Sequence, residues 1–237
     1  MFVRKRNFMK LSYISLVGML CSSIVFAQTE STPMFQSKIS PIPESIATKM
    51  QHTTWRKGCP VGMDQLAYLQ LSYWGFDGKT HTGVLIVNKD LADEVVSIFK
   101  VLYQQKYPIQ RMELMDAYNG DDNASMAANN TSAFNCREVT DRPGEYSQHS
   151  YGRAIDINPL INPYVNGQKI LPADGIPYVD RTKPAPGKIS KGSAIYKEFV
   201  KYDWDWAGNW FDIQDYQHFE KRAHGEKRNP YGYDKKK

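Results

Sequence analysis

Ser147-Gln148-His149-Ser150-Tyr151-Gly152-Arg153-Ala154-Ile155-Asp156-Ile157-Asn158 is the stretch around which the rest of this 237-residue chain is read. From Ala154 the order is small, apolar, acidic, apolar, polar, which is the period of a strand. Asp156 and Asn158 then share one face, and Ile155 and Ile157 the other. The apolar face is suited to a core and the carboxylate to a cleft. His149 precedes Asp156 by seven residues with Gly152 between them, so it can turn in beside the carboxylate. Imidazole and carboxylate form a ligand pair suited to zinc. Two ligands do not complete a site, and the third has to come from elsewhere.

Upstream, Tyr68–Tyr73 alternates and Gly83–Asn88 is a β-branched run, with the turn residues Phe76-Asp77-Gly78-Lys79 between them. That pattern predicts a hairpin. Asp90 is then placed to cap a helix whose face is Leu91, Val95, Ile98, Phe99 and Leu102, stopped by Pro108. Residues 107–118 carry a candidate strand. Residues 119–146 and 159–189, the latter with six prolines, read as long loops on either side of the metal strand and are expected to wall a cleft. A helix from about Ser193 to Tyr202 and a Trp-rich run, Trp204 to Trp210, follow. These elements predict an α+β single domain: a small antiparallel sheet carrying the zinc site, flanking helices and cleft-forming loops.

The first 27 residues predict an export signal. Arg4, Lys5, Arg6 and Lys10 precede an apolar run to Ala27, and Val25-Phe26-Ala27 fits a cleavage site. The run is short for a membrane span, so no stable membrane insertion is expected after cleavage. The domain plan is signal 1–27, a Ser/Thr/Pro/Gln-rich leader 28–53, a folded domain 54–220 that holds the metal strand, and a basic tail 221–237. Cleavage removes four basic and no acidic residues. That leaves 26 Lys and Arg against 25 acids, and the apparent net charge of +5 belongs mostly to the signal. Nothing points to a nucleic-acid partner. The tail reads either as a solvated terminus or as a contact for an anionic surface. Cys59 and Cys136 outlive the signal, and an exported compartment allows them to be bridged or to stay separate thiols.

For the third ligand, His52 lies in the leader, His81 in the hairpin turn and His224 in the tail. His218, in Asp215-Tyr216-Gln217-His218-Phe219-Glu220, has a carboxylate three residues before it. A carboxylate beside a metal-binding His that is not itself a ligand can take a proton from water. Three protein ligands with an open position is the catalytic pattern, whereas four would be structural.

The joint pattern Ser-x-His-x-x-Gly-x-Ala-x-Asp, at Ser147 to Asp156, and Asp-x-x-His, at Asp215 to His218, resembles the zinc D-alanyl-D-alanine carboxypeptidase family. Its superfamily includes lysostaphin-type endopeptidases and the hedgehog signalling domain. The likeness spans about residues 55–220. Relatives often have Trp-Gly-Gly-x-Trp where this chain has Trp206-Ala207-Gly208-Asn209-Trp210. The resemblance implies that His149, Asp156 and His218 hold Zn2+ and that Asp215 is the general base. It also implies that an Arg stabilises the oxyanion: Arg137 is the first choice and Arg111 the second. Ser147 is expected to bind substrate, to support the metal site or to serve as a turn residue. The implied activity is an exported, periplasmic or secreted peptidase acting on peptidoglycan stem peptides as a carboxypeptidase. An L-alanyl-D-glutamate or cross-link endopeptidase, and a non-catalytic zinc-stabilised wall-binding module, stand as alternatives.

Overall fold

The computed structural model describes residues 1–3, 33–139 and 142–232. The expected signal and the end of the tail fall largely or wholly outside the described residues. The chain divides into Met1–Thr32 and Pro33–Lys237, and every element below belongs to the second unit. Strand β1 (Ser37–Ser40) pairs antiparallel with β2 (Leu66–Trp74), which pairs with β3 (Thr80–Asn88) in register Leu69↔Leu85. Between β1 and β2, helix α1 (Glu44–Met50) buries Met50 completely. Ordered structure therefore begins well before Thr54, where the sequence reading started the domain. The short leader supplies an edge strand and a helix, which its polar composition concealed.

The hairpin holds as read. The helix after it, α2 (Ala92–Gln104), buries Val95, Ile98, Phe99 and Leu102 against it. At roughly 1.5–3 kcal/mol per large apolar side chain removed from water, this one face is a principal source of stability. The cap differs from the expectation: α2 follows Leu91 with no side-chain cap, and Asn88 instead caps the short 3-10 turn Lys89–Leu91 that precedes it by accepting from the Asp90 amide. Within the polar stretch 119–146 the described residues form regular elements rather than an open loop. Asp121 caps a short helix α3 (Asp122–Ala127) by accepting from the amides of Asn123 and Ala124. Strand β4 (Arg111–Met112) runs parallel to β5 (Asn130–Thr131), and β6 (Glu138–Val139) pairs antiparallel with β7 (Arg142–Tyr146).

The sheet that matters for the site is β11 (Asp205–Trp206), β13 (His218–Glu220) and β8 (Ala154–Asp156), in that order and antiparallel. A second small sheet joins β10 (Lys169–Leu171), β9 (Tyr164–Asn166) and β12 (Gln214–Asp215). Helix α4 (Ala194–Lys201), capped by Ser193, lays Ile195 and Phe199 into the core, where Phe199 stacks on Phe219 at 3.9 Å. The result is the expected α+β class, with its antiparallel strands divided among several small sheets.

Cys59 and Cys136 form a disulfide across 77 residues, tying the segment after α1 to the residue before Arg137. Among the described residues, the segment after Glu220 packs on the fold. Arg228 is buried, lies over the Trp210 ring at 4.0 Å and pairs with Asp212 through two nitrogens. Its charge is used inside the fold. Among the described residues no helix is long and apolar enough to cross a membrane.

Candidate metal centre

Register builds the cluster. His218 in β13 lies directly opposite Asp156 in β8, and side chains opposite each other on one face of an antiparallel pair come within about 5 Å. Ile155 and Phe219, the next residues on each strand, point the other way into the core and are fully buried. His149 comes from a single helical turn, Gln148–Tyr151, which ends at Gly152. That glycine has φ +66°, and a Cβ there would lie 2.6 Å from the backbone nitrogen of Asn88. Only glycine lets the chain reverse this close to β3, and the reversal is what brings His149 back over Asp156. The turn is held by Ser147, whose Oγ accepts from the His149 amide at 3.3 Å.

The three donor groups lie within 4.8 Å of one another and all are buried. His218 Nδ1 is 2.9 Å from Asp156 Oδ1, His149 Nε2 is 3.2 Å from Asp156 Oδ2, and the two ring nitrogens are 3.2 Å apart. The far nitrogens are spoken for. His149 Nδ1 donates to the Ala133 carbonyl, and His218 Nε2 donates to Glu220 Oε2 at 3.1 Å. Each ring is thereby fixed in the tautomer that turns a lone pair toward Asp156. Two lone pairs and a carboxylate converging this closely require a positive charge among them. Without a metal, a proton meets that need. Burial disfavours the charged imidazole of His218, but hydrogen bonds to Asp156 and Glu220 outweigh it and raise its pKa to about 10. Burial likewise pushes Asp156 up, and the two imidazoles outweigh it, holding the carboxyl below its usual range. The donor set thus fits a divalent cation bound by two nitrogens and one carboxylate.

Asp215 lies on β12 and lines the same cleft as Asp156 and His218. The residue is half-buried, but its Oδ1 is enclosed with no hydrogen-bond partner. Burial raises its pKa to about 6, against the attraction of His218. Its strand is held from outside the ligand sheet: Asp215 pairs with Tyr164, and Gln214 with Val165, in β9. The proline-rich loop 159–189 is therefore a support as well as a wall. Asn162 pins it by accepting from Ile189 N and Arg181 and donating to the Gly187 carbonyl, while Arg181 lies over the Tyr216 ring at 4.4 Å.

Arg137 and Ser147 also line this cleft. Arg137 forms an ion pair with Asp122 at the start of α3. Arg111 is half exposed and pairs loosely with Glu113 at 3.8 Å, away from the cleft lining. Asn158 departs from its expected place. The strand ends at Asp156, Asn158 takes φ +46° and is fully buried, and its side chain bonds Gln110 N and the Pro108 carbonyl. It braces the loops instead of facing substrate. Glu220 went unread in the sequence, although its position two residues after His218 on a strand is the signal that places it on the same face. Arg222 and Arg228, read as tail charges, also line the cleft.

Comparison with curated proteins and with solved structures returned no match. Residues 140–221, about a third of the chain, match the family model described as D-alanyl-D-alanine carboxypeptidase. The matched segment carries all three clustered side chains, Ser147 and Asp215, and is similar to that family.

Proposed function

We propose that this chain is an exported zinc metallopeptidase that trims peptidoglycan stem peptides as a D-alanyl-D-alanine or related carboxypeptidase. The observation that carries the reading is the convergence of His149, Asp156 and His218 with an enclosed, unpartnered Asp215 oxygen on one cleft. His149 Nε2, His218 Nδ1 and a carboxylate oxygen of Asp156 would hold the ion. When bound, a zinc ion supplies Lewis-acid polarisation of the scissile carbonyl and makes a water molecule more acidic. Asp215 takes a proton from the attacking water and passes it to the departing amine. Its raised pKa suits both transfers, because a base works best when its pKa lies near the working pH. The Arg137 guanidinium, at the cleft wall, offsets the negative charge that grows on the carbonyl oxygen. Ser147 holds the His149 turn and leaves its hydroxyl hydrogen for substrate. Export is supported by the basic-then-apolar N-terminus and by the disulfide, which belongs in an oxidising compartment.

The test is incubation of the zinc-supplied protein lacking residues 1–27 with defined stem peptides, read by mass. Loss of one terminal D-alanine is the expected result. Release of an internal peptide would reassign the chain to the endopeptidase reading, and binding without turnover across the set would leave only a wall-binding module.

A further inference from the structure

We propose that Glu220, backed by Arg222, is the residue that positions His218 for its metal, an inference that rests on the zinc reading above. The pleat of β13 puts His218 and Glu220 on one face, two residues apart, while Phe219 between them is locked in the core against Phe199. Across the sheet Glu220 faces Ala154, whose methyl leaves room for a carboxylate. Glu220 is 3% exposed. Its two oxygens do different work: Oε2 accepts from His218 Nε2 at 3.1 Å, and Oε1 accepts from Arg222 Nε at 2.7 Å.

A carboxylate buried only for stability would need no more than a cation beside it. Here the cation takes one oxygen, and the other is aimed at the ring nitrogen that faces away from Asp156. That contact does two things. It fixes the Nε2–H tautomer, so that the Nδ1 lone pair points at the cluster. It also puts negative charge behind the imidazole, which makes Nδ1 a stronger donor. His149 has only the neutral Ala133 carbonyl in the corresponding place. The two histidines are thus unequal ligands, with His218 the one tuned by charge. Arg222 holds Glu220 in line through its bond to Oε1.

The experiment measures zinc affinity by competition with a chromophoric chelator, for the protein lacking residues 1–27 and for Glu220→Gln and Glu220→Ala. Metal-free unfolding is recorded for each alongside. Loss of a residue that orients a metal-binding histidine weakens metal binding by roughly 10–100-fold, and that is expected for Glu220→Ala. Glu220→Gln still accepts from Nε2 but lacks the charge, so it should bind zinc more weakly than the parent and more tightly than Glu220→Ala. A merely structural Glu220 would lower metal-free stability in Glu220→Ala and leave zinc affinity untouched, which overturns the proposal. If Glu220→Ala does not fold, Glu220→Gln decides: parental affinity, with the His218 tautomer unchanged in 15N NMR, overturns it equally. A parent protein that takes up no zinc sinks the zinc reading and this proposal together. A parent that binds zinc with both variants unaffected sinks this proposal alone.

Discussion

Replacing Asp215 by Asn should damage catalysis and stabilise the fold, and the two effects have a common cause. The folded carboxyl titrates near 6 because it is enclosed with an unpartnered oxygen, whereas an unfolded Asp titrates near 3.9. Below the lower value both states are protonated and the group contributes nothing to stability. As pH rises through the window the unfolded chain ionises first, so the folded state loses ground, and the full deficit is reached above pH 6. A separation of about two pH units corresponds to at most on the order of 3 kcal/mol. Water in the cleft reduces this by screening the half-buried side chain. Asn is nearly isosteric and carries no charge. Metal-free Asp215→Asn should therefore resist urea better than the parent at pH 7.5, by 1 kcal/mol or more on the same scale, and hardly better at pH 4. Tryptophan fluorescence reads both curves. With zinc supplied, turnover of stem peptides should fall about 10²–10⁴-fold, the usual worth of a general base. A variant with parental turnover would place the base elsewhere. A variant less stable than the parent at pH 7.5 would show that burial does not set this carboxyl's pKa.

Zinc affinity should climb steadily between pH 6 and 8, because His218 holds its proton up to about 10 in the metal-free protein and the metal must displace it; chelator competition at several pH values checks this, and a flat profile would contradict it. Replacing Cys59 and Cys136 by Ser releases a 77-residue separation, for which loop entropy gives a loss of about 4.5 kcal/mol, measurable as a fall in the denaturation midpoint that reducing agent reproduces in the parent. Gly152→Ala forces a side chain into a left-handed conformation against the backbone of β3. It should cost about 1–2 kcal/mol in conformation alone and weaken zinc binding through the displaced His149, whereas unaltered affinity would separate the turn from the site.

What could be read from the sequence follows from how local the signal is. The hairpin, α2 and α4 are written in short periodic patterns of apolar residues, and the structure keeps them at nearly the expected bounds. The cluster was legible for the same reason. Asp156 stands on a strand between two buried isoleucines, His149 sits one glycine turn upstream, and Asp215 and His218 share a short motif. The resemblance then joined the two segments, which nothing local could pair. Asn158 was misplaced because alternation assumes that the strand continues, while a positive φ ended it two residues early. The leader and the tail were misjudged because polar composition does not reveal a partner: β1 is ordered by the edge of β2, and Arg228 by Trp210 and Asp212. Glu220 was passed over because a carboxylate near a terminal basic run reads as surface charge until the strand register turns it inward.

The division of labour between the two small sheets has its own consequence. His218 and Asp156 are held by the pairing of β13 with β8, and the core beneath them is continuous with α2 and α4. Asp215 is held by the pairing of β12 with β9, and β9 belongs to the proline-rich loop that Asn162 and Arg181 pin in place. Tyr216 and Gln217 join β12 to β13, with Trp206 Nε1 donating to the Tyr216 carbonyl at 2.9 Å as a tie back to the ligand sheet. Ligand geometry and base placement are thus set by different long-range contacts. Changes in the loop around 159–189 can move the base, or the wall facing it, without disturbing the donors. Changes under β8 and β13 act on the metal first. On the peptidase reading, the choice of bond therefore resides in the loop side of the cleft, and the cluster side is free to stay the same whichever bond is cut.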